Sequence, residues 1–252
     1  MGQRAGRAPR RRRRPQRRAL SMERTVEQIL ADVAGGTVQP LYLVAGDRVL
    51  AEPQAQRIAG ALAARAGCRV ERYRRPAELA PILADLKTHA LFASAKVALV
   101  VDSAVVADAR AAADLIDQAE EGLPVDDAAA ELRPAQRRAA SRLLQALRVF
   151  GLEPTRGTPS RLLAELPDAA LAGGRRLRKK KPRGRSPRQR QALREQLEGL
   201  LAAAQASDLV GFAEGDLAEL GAILDGGLPP GHALVLAEDA VAADHPLVER
   251  LR

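Results

Sequence analysis

Apolar positions recur in two rhythms along this chain. From MERTVEQIL onward, Val26, Ile29, Leu30 and Val33 share one face of a helix that Gly35-Gly36 ends. Pro40 to Ala45, PLYLVA, is a short continuous apolar run closed by Gly46-Asp47 and reads as a buried strand. Residues 50–66 return to the helical rhythm, with Pro53 placed near the first turn and Gly67 as the stop. CRVERY, residues 68–73, alternates as a strand does. Residues 77–89 are predicted helical, with Leu79, Ile82, Leu83 and Leu86 on one side. KVALVV, residues 96–101, is a second buried strand, followed by Asp102-Ser103.

The same alternation resumes late. DLAELGAIL, residues 216–224, is a short helix; HALVLA, residues 232–237, is a fourth strand; residues 244–251 begin a last helix. Helices alternating with buried strands imply an α/β fold with a parallel sheet and right-handed crossovers. Between residues 104 and 211 the rhythm changes. Residues 108–121 and 135–150 are predicted helices, the second with Ala139, Leu143, Leu147 and Phe150 in one stripe. Residues 151–187 are rich in proline, glycine and basic residues and read as linker and disorder. Ser186-Pro187 then caps a helix running to about Ala206. The domain reading is a disordered Arg-rich tail, 1–21; the first part of the α/β domain, 22–106; a helical and disordered insertion, 107–211; and the second part of the α/β domain, 212–252.

Charge sharpens this division. The chain has 40 basic and 31 acidic residues. Nine arginines lie in residues 1–21 and eleven basic residues between Arg175 and Arg194, and neither segment has an acid; without them, 20 basic residues face 31 acidic ones. Nucleic-acid affinity, if the chain has it, belongs to these segments and weakens with salt. Arg175, Arg176, Arg178, Lys179, Lys180, Lys181, Arg183 and Arg185 are the candidate phosphate contacts. Three readings compete for residues 1–21: a nucleic-acid-binding tail, a targeting peptide, or an upstream start with Met22 as the true beginning.

Composition narrows the chemistry. Alanine and leucine dominate the apolar residues, only 2% of the chain is aromatic, and tryptophan is absent. The single cysteine, Cys68, permits no internal disulfide and suits a cytoplasmic protein. No apolar run approaches the ~18 residues of a membrane span. The first strand-to-helix turn, GDRVLAEP, lacks the second glycine and the lysine of a phosphate-cradling loop. Asp102 has no neighbouring carboxylate to activate water. His89, His232 and His245 have no metal-ligand spacing to one another or to Cys68. No GxSxG elbow is present. Neither an intrinsic catalytic site, nor a metal, nor a cofactor is expected.

One apolar pair stands out. In LKTHALFASAK, Leu91 and Phe92 occupy the short connection between a predicted helix and a predicted strand. By themselves they read as the anchor of that corner or as a knob for another protein. The segment has company: VQPLYLVAGDRVLAEPQAQRI, LKTHALFASAKVALVVDSA and DLAELGAILDGGLPPGHALVLAEDAVAADHPLVERL, in that order, resemble the delta subunit of the bacterial DNA polymerase III clamp loader. The resemblance covers residues 24–106 and 212–252.

It implies an AAA+-like domain that does not itself use ATP. It implies that Leu91 and Phe92 plug a pocket on the sliding clamp and favour the opened ring. It also implies other clamp-loader subunits and DNA as partners, within a holoenzyme whose reaction is nucleotidyl transfer. Members of that family continue with a fifth strand, a helical lid and a helical collar, so the resemblance makes this sequence a truncated, N-terminal-domain form with an incomplete sheet. The insertion has no counterpart there. The alternative reading is a stand-alone protein that binds nucleic acid non-specifically through its basic segments; it lacks interleaved aromatics for base stacking.

Overall fold

A computed structural model describes residues 24–88, 95–125, 131–174, 184–239 and 241–252. Four strands, β1 (Leu41–Ala45), β2 (Val70–Arg74), β3 (Val97–Val101) and β4 (Ala233–Glu238), form one parallel sheet in the order β1-β4-β3-β2. Leu41 is level with Leu234, Val97 with Ala233, and Val70 with Val97. The two central strands are buried at every position, whereas β1 and β2 at the edges are partly exposed. Helices on both faces of a parallel sheet require continuous apolar strands at its centre, as VALVV and ALVLA provide.

Helices α1 (Val26–Gly35) and α2 (Arg48–Ala66) cover one face. Ile58, Ala59 and Leu62 of α2 pack there with Val97, Leu99, Val101 and Val235. Helices α3 (Ala80–Lys87), α9 (Glu214–Gly226) and α10 (Pro246–Leu251) cover the other. Leu83, Leu86, Leu220, Ile223 and Leu247 meet Ala98, Val100, Leu234 and Leu236 on that side. Thr25 and Gln28 form a capping box at the start of α1, and Gly36 ends it in the left-handed conformation.

α2 starts earlier than its apolar pattern indicates. Asp47 is its cap, accepting a hydrogen bond from the Val49 N–H at 2.9 Å. Pro53 therefore lies in the second turn, not the first, and deprives the Val49 carbonyl of its usual i+4 donor.

A second, mainly helical core is built from α4 (Ala112–Glu120), α5 (Pro134–Arg148), α6 (Pro159–Glu165), α7 (Asp168–Leu171) and α8 (Pro187–Ala206). Residues 151–174 correct the linker reading. They hold α6 and α7, and Leu162, Leu163, Leu166 and Leu171 are buried in this core. Both helices are too short to show a periodic pattern, and burial against α8 replaces the stability that local propensity withholds. No helix of the described residues is long and apolar enough to cross a membrane.

Candidate functional site

The corner between α3 and β3 is anchored from several directions. Leu79, Ile82, Leu83 and Leu86 seat α3 on the sheet. The Leu86 carbonyl accepts a 2.8 Å hydrogen bond from Nδ1 of buried His232, at the foot of β4. On the far side of the connection, Lys96 Nζ reaches back to α3. It donates to the Asp85 carbonyl at 3.0 Å and to Thr88 Oγ1 at 3.4 Å, and it pairs with the Asp85 carboxylate. The end of α3 and the start of β3 are thereby clasped, and Ala95 is buried beside them. Leu91 and Phe92, which this corner carries in sequence, lie outside the described residues.

At the opposite edge, where the strands end, a second cluster forms. Asp102 follows β3 at φ 57° and Ala104 at φ 64°, both left-handed, and Arg75 after β2 has φ 46°. Such positions cost free energy in non-glycine residues and persist where surrounding contacts fix them. Here the contacts are evident. Arg75 Nε donates to Asp102 Oδ2 at 2.7 Å, and Arg48 Nη1 stands 3.8 Å from the same oxygen. The Asp102 N–H donates to the Ala237 carbonyl at 2.8 Å.

Glu238, at the end of β4, accepts from the Ser103 N–H at 3.0 Å, from the Ser103 hydroxyl, and from the Ala104 N–H at 2.8 Å. The Ser103 hydroxyl oxygen in turn accepts from the Val105 N–H at 3.2 Å. Burial pushes the Glu238 carboxyl up to about 7, against the Ser103 and Ala104 hydrogen bonds that favour its charged form. Ser103 and Glu238 are both enclosed, so this serine–carboxylate pair closes a loop and offers no approach to a substrate.

Arg142 of α5 completes the rim. Its guanidinium donates to the Asp102 carbonyl at 2.7 Å and to the Ser103 carbonyl, and lies 5.9 Å from the centre of the Phe212 ring. Burial lowers its pKa, opposed by Asp102 and Glu238. Nearby, Ser141 Oγ donates to the Ala77 carbonyl at 2.6 Å. α5 thus fastens the helical body to the ends of the strands. Sequence reasoning missed Arg142 and Glu238, although each left a signal: Arg142 interrupts the stripe of Ala139, Leu143 and Leu147, and Glu238 ends an uninterrupted apolar strand.

The Asp102 carboxylate is held by Arg75 and Arg48. Among the described residues no group of three or more His, Cys, Asp or Glu side chains is arranged to hold a metal ion.

The basic run is only partly described: Arg175, Arg176, Arg178, Lys179, Lys180, Lys181 and Arg183 lie outside the described residues. Arg185, expected to contact phosphates, is buried. Its guanidinium pairs with Asp117 at 2.8 Å and Glu120 at 2.6 Å, both on α4, and donates to the Leu171 carbonyl at 3.3 Å. Arg190 and Arg194, farther along the run, both pair with Asp168. These arginines neutralise acids of the helical body, and Arg185 is inaccessible to a nucleic acid. The acid-free stretch hid this, because its partners lie elsewhere in sequence.

The chain matches no family model, and no curated protein or solved structure matches it.

Proposed function

We propose that this chain is a delta-like clamp-loader subunit, an AAA+-like α/β scaffold without nucleotide chemistry of its own, that binds and helps open a sliding clamp through Leu91 and Phe92. The observation that carries the reading is the clasped corner between α3 and β3. Its attachment to the sheet runs through Leu79, Ile82, Leu83, Leu86, His232 and Lys96. With the corner anchored by these residues, we assign the apolar pair to a partner protein and not to the corner itself.

The first strand-to-helix turn supports the same reading. A phosphate-binding turn offers the helix N-terminus to an anion. In this chain the Asp47 carboxylate takes that place on α2. Binding energy at the plug then favours the opened ring only so far as the open form is bound more tightly than the closed one. Other loader subunits, DNA and a cytoplasmic location follow from the same resemblance. Burial of Arg185 removes one contact from the alternative nucleic-acid reading.

The test is affinity for a bacterial sliding clamp. Burying a leucine and a phenylalanine contributes ~3–6 kcal/mol, so Leu91→Ala with Phe92→Ala is expected to weaken binding by roughly 10²–10⁴-fold. Unchanged affinity in the double variant rules out the plug.

A further inference from the structure

Helix α5 has two sides of opposite character. Ala139, Ala140, Leu143, Leu144 and Leu147 are buried in the helical core. Arg137, Ser141, Gln145 and Arg148, spaced four, four and three residues apart, share another side, with Arg142 next to Ser141. Each of these five reaches across to the α/β domain. Arg137 pairs with Glu78 at 3.4 Å, Ser141 Oγ donates to the Ala77 carbonyl at 2.6 Å, and Gln145 Nε2 donates to the Ala104 carbonyl at 3.4 Å. Arg142 donates to the Asp102 and Ser103 carbonyls, and Arg148 to the Phe212 carbonyl. Arg75, after β2, adds an ion pair to Glu121, after α4, at 3.3 Å. The seam between the two bodies is thus lined by polar bonds.

The apolar residues divide along the same line. Those of the helical body form one cluster, and those on the two faces of the sheet form two others. The boundary passes through the chain crossings themselves. Ala104 and Ala107 join the helical cluster, whereas Val105 and Val106 join the sheet; Leu209 joins the helical cluster, and Phe212 the sheet. Each crossing contains left-handed residues: Asp102 at φ 57° and Ala104 at φ 64° in the first, Asp208 at φ 49° and Gly211 at φ 63° in the second. A hinge needs a few such residues at element ends to absorb backbone rotation.

The energetics favour movement at this seam. Bodies joined over a large apolar interface stay fixed, while those joined by polar contacts move relative to each other. Parting the seam exchanges hydrogen bonds to protein carbonyls for hydrogen bonds to water, a small net loss. It also returns Arg142 and Glu238, both enclosed here, to solvent, and their hydration offsets part of that loss.

We propose that the helical body, α4 through α8, swings as one unit about residues 102–107 and 208–212, parting α5 from the strand ends while both cores stay folded. The open form uncovers Ser103, Glu238 and Arg142 at the carboxyl ends of the strands, the edge where parallel sheets place their ligands. The hinge does not rest on the clamp reading, because the α3–β3 corner lies at the opposite ends of the strands.

The test uses the full chain with spin labels at two exposed positions, Ala64→Cys on α2 and Ala192→Cys on α8, with Cys68→Ser to remove the native thiol. Pulsed electron paramagnetic resonance reads the distance distribution between them. Two perturbations act on the seam by different means. Ser141→Ala with Gln145→Ala removes two of its bonds. Gly211→Ala removes none, but its methyl would lie 3.3 Å from both Leu144 Cδ1 and Ser141 Oγ, pressing the seam apart. Each is expected to raise the population at a displaced distance, the double variant by about tenfold or more. Arg161→Ala, at an exposed pair on α6 away from the seam, is expected to leave the distribution unchanged. NMR signals from the methyls of Leu197 and Leu200 in the helical core, and of Val100 and Val235 in the sheet, are expected to hold their positions throughout. A variant that loses both sets of signals is unfolded, and the other seam variant then decides. An unchanged distribution in a folded seam variant overturns the proposal, as does an equal response to Arg161→Ala. It is also overturned if the helical-core methyls alone disappear in step with the displaced population, because the body is then melting instead of swinging.

Discussion

At Glu238, burial and hydrogen bonding pull in opposite directions, and burial wins: the carboxyl titrates near 7 instead of at its ordinary 4.5. An acid whose pKa is raised on folding holds its proton where the unfolded chain has lost it. Its contribution to stability is complete below pH 4.5, declines as pH rises through 7, and is constant above that. The displacement corresponds to ~3 kcal/mol. Asp117 and Asp216 are raised by burial and act in the same sense, while His245, lowered by burial, acts oppositely below its ordinary pKa. The difference between the parent and Glu238→Gln isolates the one carboxyl. Urea midpoints at pH 5 and pH 8 are expected to show the parent losing more stability across that interval than the variant. Equal losses would place the proton elsewhere. Arg142 belongs to the same network and would be costly to truncate, because its loss leaves the Asp102 and Ser103 carbonyls without their buried donor.

Among elements, the sharpest lesson is residues 151–174. Their prolines and glycines are real punctuation, yet the punctuation separates short helices. Leu163 of α6 is enclosed in the helical core, so Leu163→Ala is expected to destabilise the protein by ~2–5 kcal/mol. Measured denaturant unfolding checks this; a cost within ~0.5 kcal/mol, typical of a surface change, would restore the linker reading. The long amphipathic helices and the four strands were legible because burial writes itself into 3.6-residue spacing, into the continuous apolar runs of β1, β3 and β4, or into the alternation of β2. Ion pairs were not. Arg185 looks solvated in its acid-free run because Asp117 and Glu120 lie more than sixty residues away. Lys96 in the same way gave no sign that it would clasp α3, and the start of α2 was hidden because its first two residues, Arg48 and Val49, are both exposed and carry no apolar rhythm.

On the scale of the whole molecule, the parallel sheet orders its two edges differently. The edge where strands end is closed by Glu238, Asp102 and Arg142 and holds the helical body through α5. The edge where strands begin carries the α3–β3 corner with its fixed shoulders. Under the proposed clamp reading, the binding element lies at the end of the sheet opposite the network that holds the helical body. Hydrogen exchange of the full chain, with and without a bacterial sliding clamp, tests this most directly. Clamp-dependent protection concentrated in the peptides spanning residues 88–96 is the expected result. Protection absent from those residues in a clamp-bound chain, or no binding of the clamp at all, would contradict it.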